Sequence, residues 1–143
     1  MSDIIRDITE ITRCGAQYKS DNLAPFGLKG CHPSYLGEIC ACPGISQDKL
    51  AQRICINKSN VARQAAILEE DGFILRKPSQ TDKRVMELYP TEKTLQLMPQ
   101  IMQIIDCWTS SLTEDLSAEE VAVLEKALLR MRTKAAAWLD KND

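Results

Sequence analysis

Residues 57–91 of this 143-residue chain read NKSNVARQAAILEEDGFILRKPSQTDKRVMELYPT. Asn57 is a residue type that favours the start of a helix, Val61, Ala65 and Leu68 follow at helical spacing as its inward face, and Gly72 stands at the far end. This pattern predicts a helix over 58–71 and then a hairpin with strands over 73–77 and 84–89. A polar-faced helix beside a hairpin with a basic tip suits duplex DNA. The helix fits the major groove, and the hairpin reaches the flanking backbone or minor groove.

A shorter helix is predicted just before this one, over 46–53 with Ser46 as its cap. The two helices have the lengths and the short connection of a helix-turn-helix. In that motif the first turns of the second helix meet the base edges. Here those turns carry polar and basic residues, namely Lys58, Ser59, Asn60 and Arg63. Arg pairs bidentately with guanine and Asn with adenine. The alternative is an ordinary amphipathic helix whose polar face is solvated.

The tip of the predicted hairpin favours the DNA interpretation. Asp82 stands two positions before Arg84, so its carboxylate is placed to accept hydrogen bonds from the guanidinium and to hold that side chain extended. Arg84 then points at the narrow, negative minor groove, and Lys83 beside it suits a phosphate. Lys77, on the strand that leads to the tip, is a further candidate DNA contact. The alternative is a salt bridge at a loop tip, which contributes little to stability.

Charge is distributed unevenly along the chain. The formal net charge is −2. Between positions 53 and 84, however, seven basic residues stand against four acidic ones, which leaves eleven basic and sixteen acidic residues elsewhere. A basic segment on an acidic body indicates docking to DNA through one region of the molecule.

Besides a short helix over 33–41, three longer helices are predicted outside this region, over 3–22, from about 91 onward, and after Ser117, which forms a capping box with Glu120. Their apolar stripes are too long for the central unit to cover. The simplest solution is a second copy of the chain whose terminal helices bury the same stripes, giving a dimer with two DNA-reading heads. The alternative is that these helices pack only on their own domain. The stripe of the last helix is Val121, Leu124, Leu128, Met131, Ala135 and Trp138.

The chain resembles the MarR (multiple antibiotic resistance regulator) family. The resemblance rests on the runs LAQRI at 50–54, NKSNVAR at 57–63, LEEDGFI at 68–74, TDKR at 81–84 and LYPTEK at 88–93. Its most specific part is the wing, with Asp-x-Arg at 82–84 followed by Leu-x-x-Thr at 88–91. The family pattern has Leu where this chain has Pro90 and Gly where it has Thr94. These departures fall at the start of the fifth helix and not on the candidate DNA contacts.

The resemblance implies a mainly α-helical, winged helix-turn-helix fold with a small β-hairpin wing. It also implies a homodimeric repressor that binds a palindromic operator and is released by a small aromatic or weakly acidic ligand, or by oxidation. We expect 1–30 to form the N-terminal part of a dimerisation region, 31–90 the DNA-binding domain, and 91–143 the C-terminal helices of the dimerisation region. The alternative function is a winged-helix protein–protein adaptor that does not bind DNA, although an adaptor has no need of a pre-oriented basic tip.

Six cysteines raise the question of redox or metal chemistry. Some members of the family sense peroxide through a thiol near the start of the first helix. Cys14 lies later in that helix and is the candidate here. A lone cysteine on a helix is more often a small buried hydrophobe. Cys40 and Cys42, with Cys31 and His32 nearby, suggest a metal site. Two cysteines one residue apart on a helix point in different directions, however, and no second pair with ligand spacing follows, so we expect no metal.

Other classes of protein are disfavoured by what the sequence does not contain. No Gly-rich phosphate loop or catalytic signature accompanies the single histidine, so we expect neither an enzyme nor a cofactor. No apolar run approaches the roughly 18 residues of a membrane span. The first residues have no signal-peptide pattern, and we therefore expect a cytoplasmic protein.

Overall fold

The structure is a computed structural model that describes residues 3–141. Every predicted helix is present, and the element boundaries lie within two residues of those expected. In chain order the elements are α1 (Ile4–Leu23), a 3-10 turn (Ala24–Phe26), α2 (His32–Ala41), β1 (Ile45–Ser46), α3 (Gln47–Ile54), α4 (Lys58–Glu70), β2 (Ile74–Pro78), β3 (Met86–Pro90), α5 (Glu92–Thr113) and α6 (Ala118–Lys141). This is a mainly α-helical winged helix-turn-helix.

Side-chain caps fix the starts of the two helices of the helix-turn-helix, as predicted. The Ser46 hydroxyl accepts a hydrogen bond from the Lys49 amide at 3.0 Å. The Asn57 side chain accepts one from the Asn60 amide at 2.7 Å. Each cap satisfies an amide that the helix leaves unpaired and contributes about 1 kcal/mol. The first residues of α4 are therefore held in place by the residue that precedes them.

The wing belongs to a three-stranded antiparallel sheet in the order β1-β3-β2. The sequence predicted only the hairpin of β2 and β3. The third strand consists of Ile45 and Ser46, which pair with Leu88 and Glu87 of β3. A strand of two residues shows no alternation that a sequence pattern could reveal, and it exists only because β3 lies beside it.

The hydrophobic core fills the space between α2, α3, α4 and the sheet. The residues predicted to face inward from α4, Val61, Ala65 and Leu68, are all buried. Burial of one large aliphatic side chain stabilises the fold by about 1.5–3 kcal/mol. The buried hydrophobic side chains are Leu23, Leu28, Tyr35, Leu36, Ile39, Ile45, Leu50, Ala51, Val61, Ala65, Leu68, Phe73, Ile74, Leu88 and Ile101. Most of them lie between residues 31 and 90, so the central unit has a core of its own.

The crossing of α1 and α5 depends on a glycine. A Cβ added to Gly15 would lie 3.0 Å from Nε1 of Trp108, which is too close for the indole to stay in place. The Tyr18 ring stacks on the same indole with the centroids 4.9 Å apart. Its hydroxyl donates to the carbonyl oxygen of Ile104 at 2.9 Å. These contacts hold the middle of α1 against the C-terminal half of α5.

The apolar stripe of α6 is uncovered in the single chain. Ser117 and Glu120 form the predicted capping box, with both reciprocal hydrogen bonds at 3.1 Å. None of the helix's described residues is buried. Leu124 and Leu128, in the middle of the stripe, are each 42% exposed.

Among the helices described between residues 3 and 141, none combines the length and the apolar character that crossing a bilayer requires.

Candidate nucleic-acid interface

The N-terminal turns of α4 present the predicted polar residues to solvent. Lys58, Ser59 and Arg63 are exposed, and Asn60 is half-buried. The Arg63 guanidinium donates a hydrogen bond to the Asn60 side-chain oxygen. Lys58 Nζ lies 3.7 Å from an Asp48 oxygen, but both side chains are 70% exposed, so this ion pair contributes little. The structure therefore joins Asn60 to Arg63 and leaves Lys58 and Ser59 exposed on the first turn of the same helix.

A hydrogen bond between their side chains joins Asn60 and Arg63. The amide oxygen of Asn60 is occupied by Arg63, which leaves its NH₂ group to donate outward. The guanidinium has five N–H donors, so the bond to Asn60 leaves several for a ligand. Such a pair suits acceptor-rich groups, which the major-groove edge of guanine and the phosphate backbone both provide.

The tip of the wing holds Arg84 in the way its spacing predicted. The Arg84 guanidinium donates to both Asp82 oxygens, with Nε at 3.1 Å and Nη2 at 3.3 Å. The Arg84 backbone amide also donates to Asp82, at 3.0 Å. These hydrogen bonds, the side-chain ones first, hold the pKa of the Asp82 carboxyl below its ordinary value. The Arg84 side chain is 91% exposed, so it is oriented without being covered.

The loop that carries this pair is fixed by its own hydrogen bonds. The Ser79 amide donates to the Val85 carbonyl at 2.8 Å, and the Val85 amide donates to the Asp82 carbonyl at 2.9 Å. The Ser79 hydroxyl, which is buried, accepts from the Thr81 amide at 3.2 Å. The tip is therefore a turn whose conformation is fixed by hydrogen bonds. Lys83, next to Arg84, is exposed on it.

Lys77 lies on the exposed face of the wing and is partly restrained. Its Nζ is 5.2 Å from the centroid of the Tyr89 ring on the neighbouring strand. A cation over an aromatic face is attracted by about 0.5–1 kcal/mol at an exposed site. The ammonium therefore stays close to the strand surface instead of ranging freely.

The sequence did not reveal the contacts of Arg76, which are the most extensive of any basic residue in this region. Arg76 donates to Glu69, near the end of α4, from Nε at 3.2 Å, from Nη2 at 3.1 Å and from its backbone amide at 3.1 Å. It also reaches Gln47 at the start of α3, at 3.4 Å. The sequence did offer one signal, which is Glu69 in the last turn of the predicted helix. The helix dipole disfavours negative charge there, so this carboxylate calls for a basic partner.

His32 is a structural residue buried between α2 and α4. Its Nδ1 lies 3.0 Å from the Lys29 amide, which only donates, so Nδ1 accepts. Its Nε2 lies 3.0 Å from the Gln64 side-chain oxygen and therefore carries the proton. Burial is the main cause that lowers the pKa of His32, and the Gln64 hydrogen bond partly opposes it. The imidazole is thus held neutral, with both nitrogens satisfied.

We expect this histidine to make the free energy of unfolding depend on pH. The unfolded chain binds a proton near the ordinary pKa of about 6.5, whereas the folded protein binds it only at lower pH. Stability contributed by neutral His32 is therefore complete above that value and is lost as pH falls through it towards the folded pKa. Urea unfolding at pH 8, 7, 6 and 5 measures the effect. A His32→Asn variant should show a shallower decline, and an identical decline in both proteins would contradict the assignment.

The cysteines form no cluster with the histidine or the acidic residues. Within residues 3–141, no three His, Cys, Asp or Glu side chains are arranged to hold a metal ion. Cys40 is half-buried, and burial raises the pKa of its thiol. Cys14 is exposed on α1 and is not the small buried hydrophobe of the alternative interpretation.

Comparison with known proteins gives consistent results. The sequence model of the MarR family matches residues 35–86. The uncharacterized HTH-type transcriptional regulator YybA of Bacillus subtilis (strain 168) is 30% identical over 132 residues, covering 92% of this chain and 88% of YybA. The crystal structure of the transcriptional regulator SlyA has a TM-score of 0.94 at 29% identity, covering 99% of this chain and 100% of SlyA. A Listeria monocytogenes protein assigned to the MarR family, crystallised with a 26mer DNA, has a TM-score of 0.91 at 29% identity, covering 97% and 93%.

Proposed function

This chain belongs to the MarR family of transcriptional regulators, and we propose that it is a homodimeric repressor that binds a palindromic DNA operator. In this proposal residues 31–90 read the DNA, and residues 1–30 and 91–143 form the dimerisation region. Asn60 and Arg63 meet base edges, Lys58 meets a phosphate, Ser59 meets a base or a phosphate, and the wing reaches the flanking minor groove. The Listeria relative crystallised with DNA supports the choice of ligand.

The observation that carries the proposal is the orientation of Arg84. Its guanidinium is fixed by Asp82 and yet is 91% exposed, so it is held outward for a partner outside the chain. An isolated arginine is attracted to the strong negative potential of a narrow minor groove. Holding the side chain in advance lowers the conformational entropy lost on binding. A salt bridge that served only the loop would gain little from such an arrangement.

Dimerisation is supported by the uncovered stripe of α6 and by its charge. Leu124 and Leu128 are exposed in the single chain, whereas the central unit, residues 31–90, has a buried core. Three of the four acidic residues of α6, Glu119, Glu120 and Glu125, precede all of its basic residues, which are Lys126, Arg130, Arg132, Lys134 and Lys141; the fourth acidic residue is Asp140. An antiparallel copy places opposite charges side by side, which favours pairing and fixes its direction.

The proposal is tested by selecting binding sites from random DNA duplexes. A dimeric repressor should enrich an inverted repeat whose half-sites are one helical turn apart, about 34 Å between centres. Fluorescence anisotropy then gives the affinity for that site and for shuffled DNA. A protein that enriches no sequence and binds all duplexes alike is not a repressor of this kind, and the adaptor becomes the better interpretation.

The recognition helix should separate base contacts from phosphate contacts. Asn60→Ala should reduce the preference for operator over shuffled DNA by about 1–3 kcal/mol, because its amide is assigned to a base edge. Lys58→Ala should weaken binding to both DNAs and make the slope of log affinity against log salt shallower by about one. The two variants control for each other. Equal loss on both DNAs in Asn60→Ala would remove its base-reading role.

Release by a small ligand uses a crevice at the base of the DNA-binding unit. It has a volume of about 350 Å³ and is lined by Phe26, Lys93, Leu97 and two glutamines of α5. Lys93 Nζ donates to the Asp71 carbonyl at 3.1 Å, just before the wing. An aromatic carboxylate that drew Lys93 away would free this carbonyl and loosen the connection between the heads and α5. A phenyl ring and a cation side by side suit that ligand class.

We expect benzoate to lower operator affinity of the wild type at millimolar concentration, and to lower it less in Lys93→Met. Peroxide treatment of the wild type and Cys14→Ser tests the oxidative alternative in the same anisotropy assay. Loss of affinity in the wild type alone assigns the sensing role to Cys14. Equal responses in the two proteins exclude Cys14, and equal responses of wild type and Lys93→Met to benzoate exclude the crevice.

A further inference from the structure

We infer that Arg76 is a positioning residue that sets the angle of the wing and thereby the position of Arg84 on DNA. This inference rests on the DNA-binding function proposed above and adds to it a residue that does not itself touch DNA. Arg76 lies in β2, at the root of the wing. It binds Glu69 through three hydrogen bonds of 3.1–3.2 Å, and Gln47 through a fourth of 3.4 Å. One side chain thus joins α3, α4 and β2.

The contacts of Arg76 turn it inward, away from a nucleic acid. Its side chain is 24% exposed, against 91% for Arg84. Three of its donors are taken up by Glu69 and Gln47, so few remain for phosphate. Glu69 in turn needs the cation, because it stands in the last turn of α4 beside Glu70 and Asp71, where the helix dipole disfavours negative charge. The pair therefore stabilises the point where the recognition helix ends and the wing begins.

The position of Arg76 in the sheet explains why its effect should appear at the tip. In the order β1-β3-β2, one edge of the wing is held by β1, and β2 is the outer strand. Arg76 ties that outer strand to α4. A strand advances about 3.3 Å per residue, so the turn around Asp82 lies roughly 10–15 Å from Arg76. A tilt of about 10° at the root would move the tip by ~2–3 Å, which is comparable with a hydrogen-bond length.

The fold should survive the loss of this contact, because the same junction has a second anchor. The Thr94 hydroxyl donates to the Phe73 carbonyl at 2.6 Å, and the Thr91 hydroxyl donates to the Gly72 carbonyl at 2.7 Å. Ile74 is also buried in the core. Removing Arg76 should therefore change the angle of the wing and not unfold it.

The test is a double-mutant cycle between Arg76 and Arg84, read as affinity for the selected operator. Arg76→Met keeps the length of the side chain and removes its charge. Alone it should weaken binding about tenfold, an effect within the range that coupled residues show. In an Arg84→Ala background the same change should weaken binding less than about twofold, since there is no longer an Arg84 to position. Glu69→Gln should give the same pattern. It keeps the shape of the site, so it takes the place of Arg76→Met if that variant folds poorly.

Arg53→Met is the matched control. Its ion pair with Glu38, at 3.2 Å, joins α3 to α2 and does not involve the wing, so its effect should be equal in both Arg84 backgrounds. Equal losses for Arg76→Met in both backgrounds would overturn the inference and leave the proposed function standing. A wild type that selects no operator, or an Arg84→Ala variant that binds as the wild type does, would overturn the proposed function and the inference with it.

Discussion

Replacing Leu124 and Leu128 together with Asp should convert the protein to a monomer and lower its operator affinity by about 10²–10⁴-fold. The two carboxylates would have to be buried between paired helices, which costs several kcal/mol for each unpaired charge. Once the chains separate, each head binds a half-site alone, and the gain from binding two linked sites is lost. Sedimentation at micromolar concentration measures the assembly, and fluorescence anisotropy measures the affinity.

The control places the same charges on the other face of α6. Ala122→Asp with Thr133→Asp adds two exposed carboxylates away from the stripe, and this variant should remain dimeric. Circular dichroism of both variants should show the total helical content of the wild type, because the buried core contains no residue of α6. A wild type that sediments as a monomer, or a Leu124 and Leu128 variant that stays dimeric, would remove α6 from the interface.

Arg84→Ala should weaken operator binding by roughly 1–3 kcal/mol for each wing that engages the DNA, with the fold unchanged. The loss should be larger on a site with an A-tract at the wing position, because the narrow minor groove there has the strongest negative potential. Asp82→Ala should cost less. Arg84 keeps its charge in this variant, but its side chain is no longer held by Asp82. It therefore loses more rotamer freedom when it binds DNA.

Arg13→Ala is the control, because it removes the same charge from an exposed position on α1. It should change the affinity by less than about twofold at a salt concentration that screens long-range electrostatic attraction. The measurement is anisotropy at two salt concentrations with an A-tract duplex and a G·C-rich duplex. If Arg84→Ala and Arg13→Ala bind alike, the orientation of Arg84 serves the loop and not the DNA.

The features that the sequence predicted correctly are those in which neighbouring residues determine one another. Ser46, Asn57 and the Ser117–Glu120 pair cap their helices within three residues. Asp82 and Arg84 are two positions apart, and their hydrogen bonds follow from the spacing. The inward face of α4 follows from helical periodicity alone. The assignment of the DNA-contacting residues, by contrast, stays a prediction that the affinity measurements will decide.

The features that the sequence did not predict are those made by residues far apart in the chain. Gln64 completes the hydrogen bonds of His32 from 32 residues away. The indole of Trp108 packs over Gly15 across the crossing of α1 and α5. Strand β1 is defined by β3, about forty residues later, and nothing in the pair Ile45–Ser46 requires it. Such contacts depend on the tertiary arrangement, which local propensity does not determine.

Strand β1 also limits how a signal can act on this molecule. Ser46 is at once a member of the sheet and the cap of α3, so the wing and the helix-turn-helix share a residue. β1 therefore connects the sheet directly to the start of α3. In the proposed dimer we therefore expect the wing and the helix-turn-helix of one head to move together. An effector of the proposed dimer would then act on the distance and the rotation between the two heads.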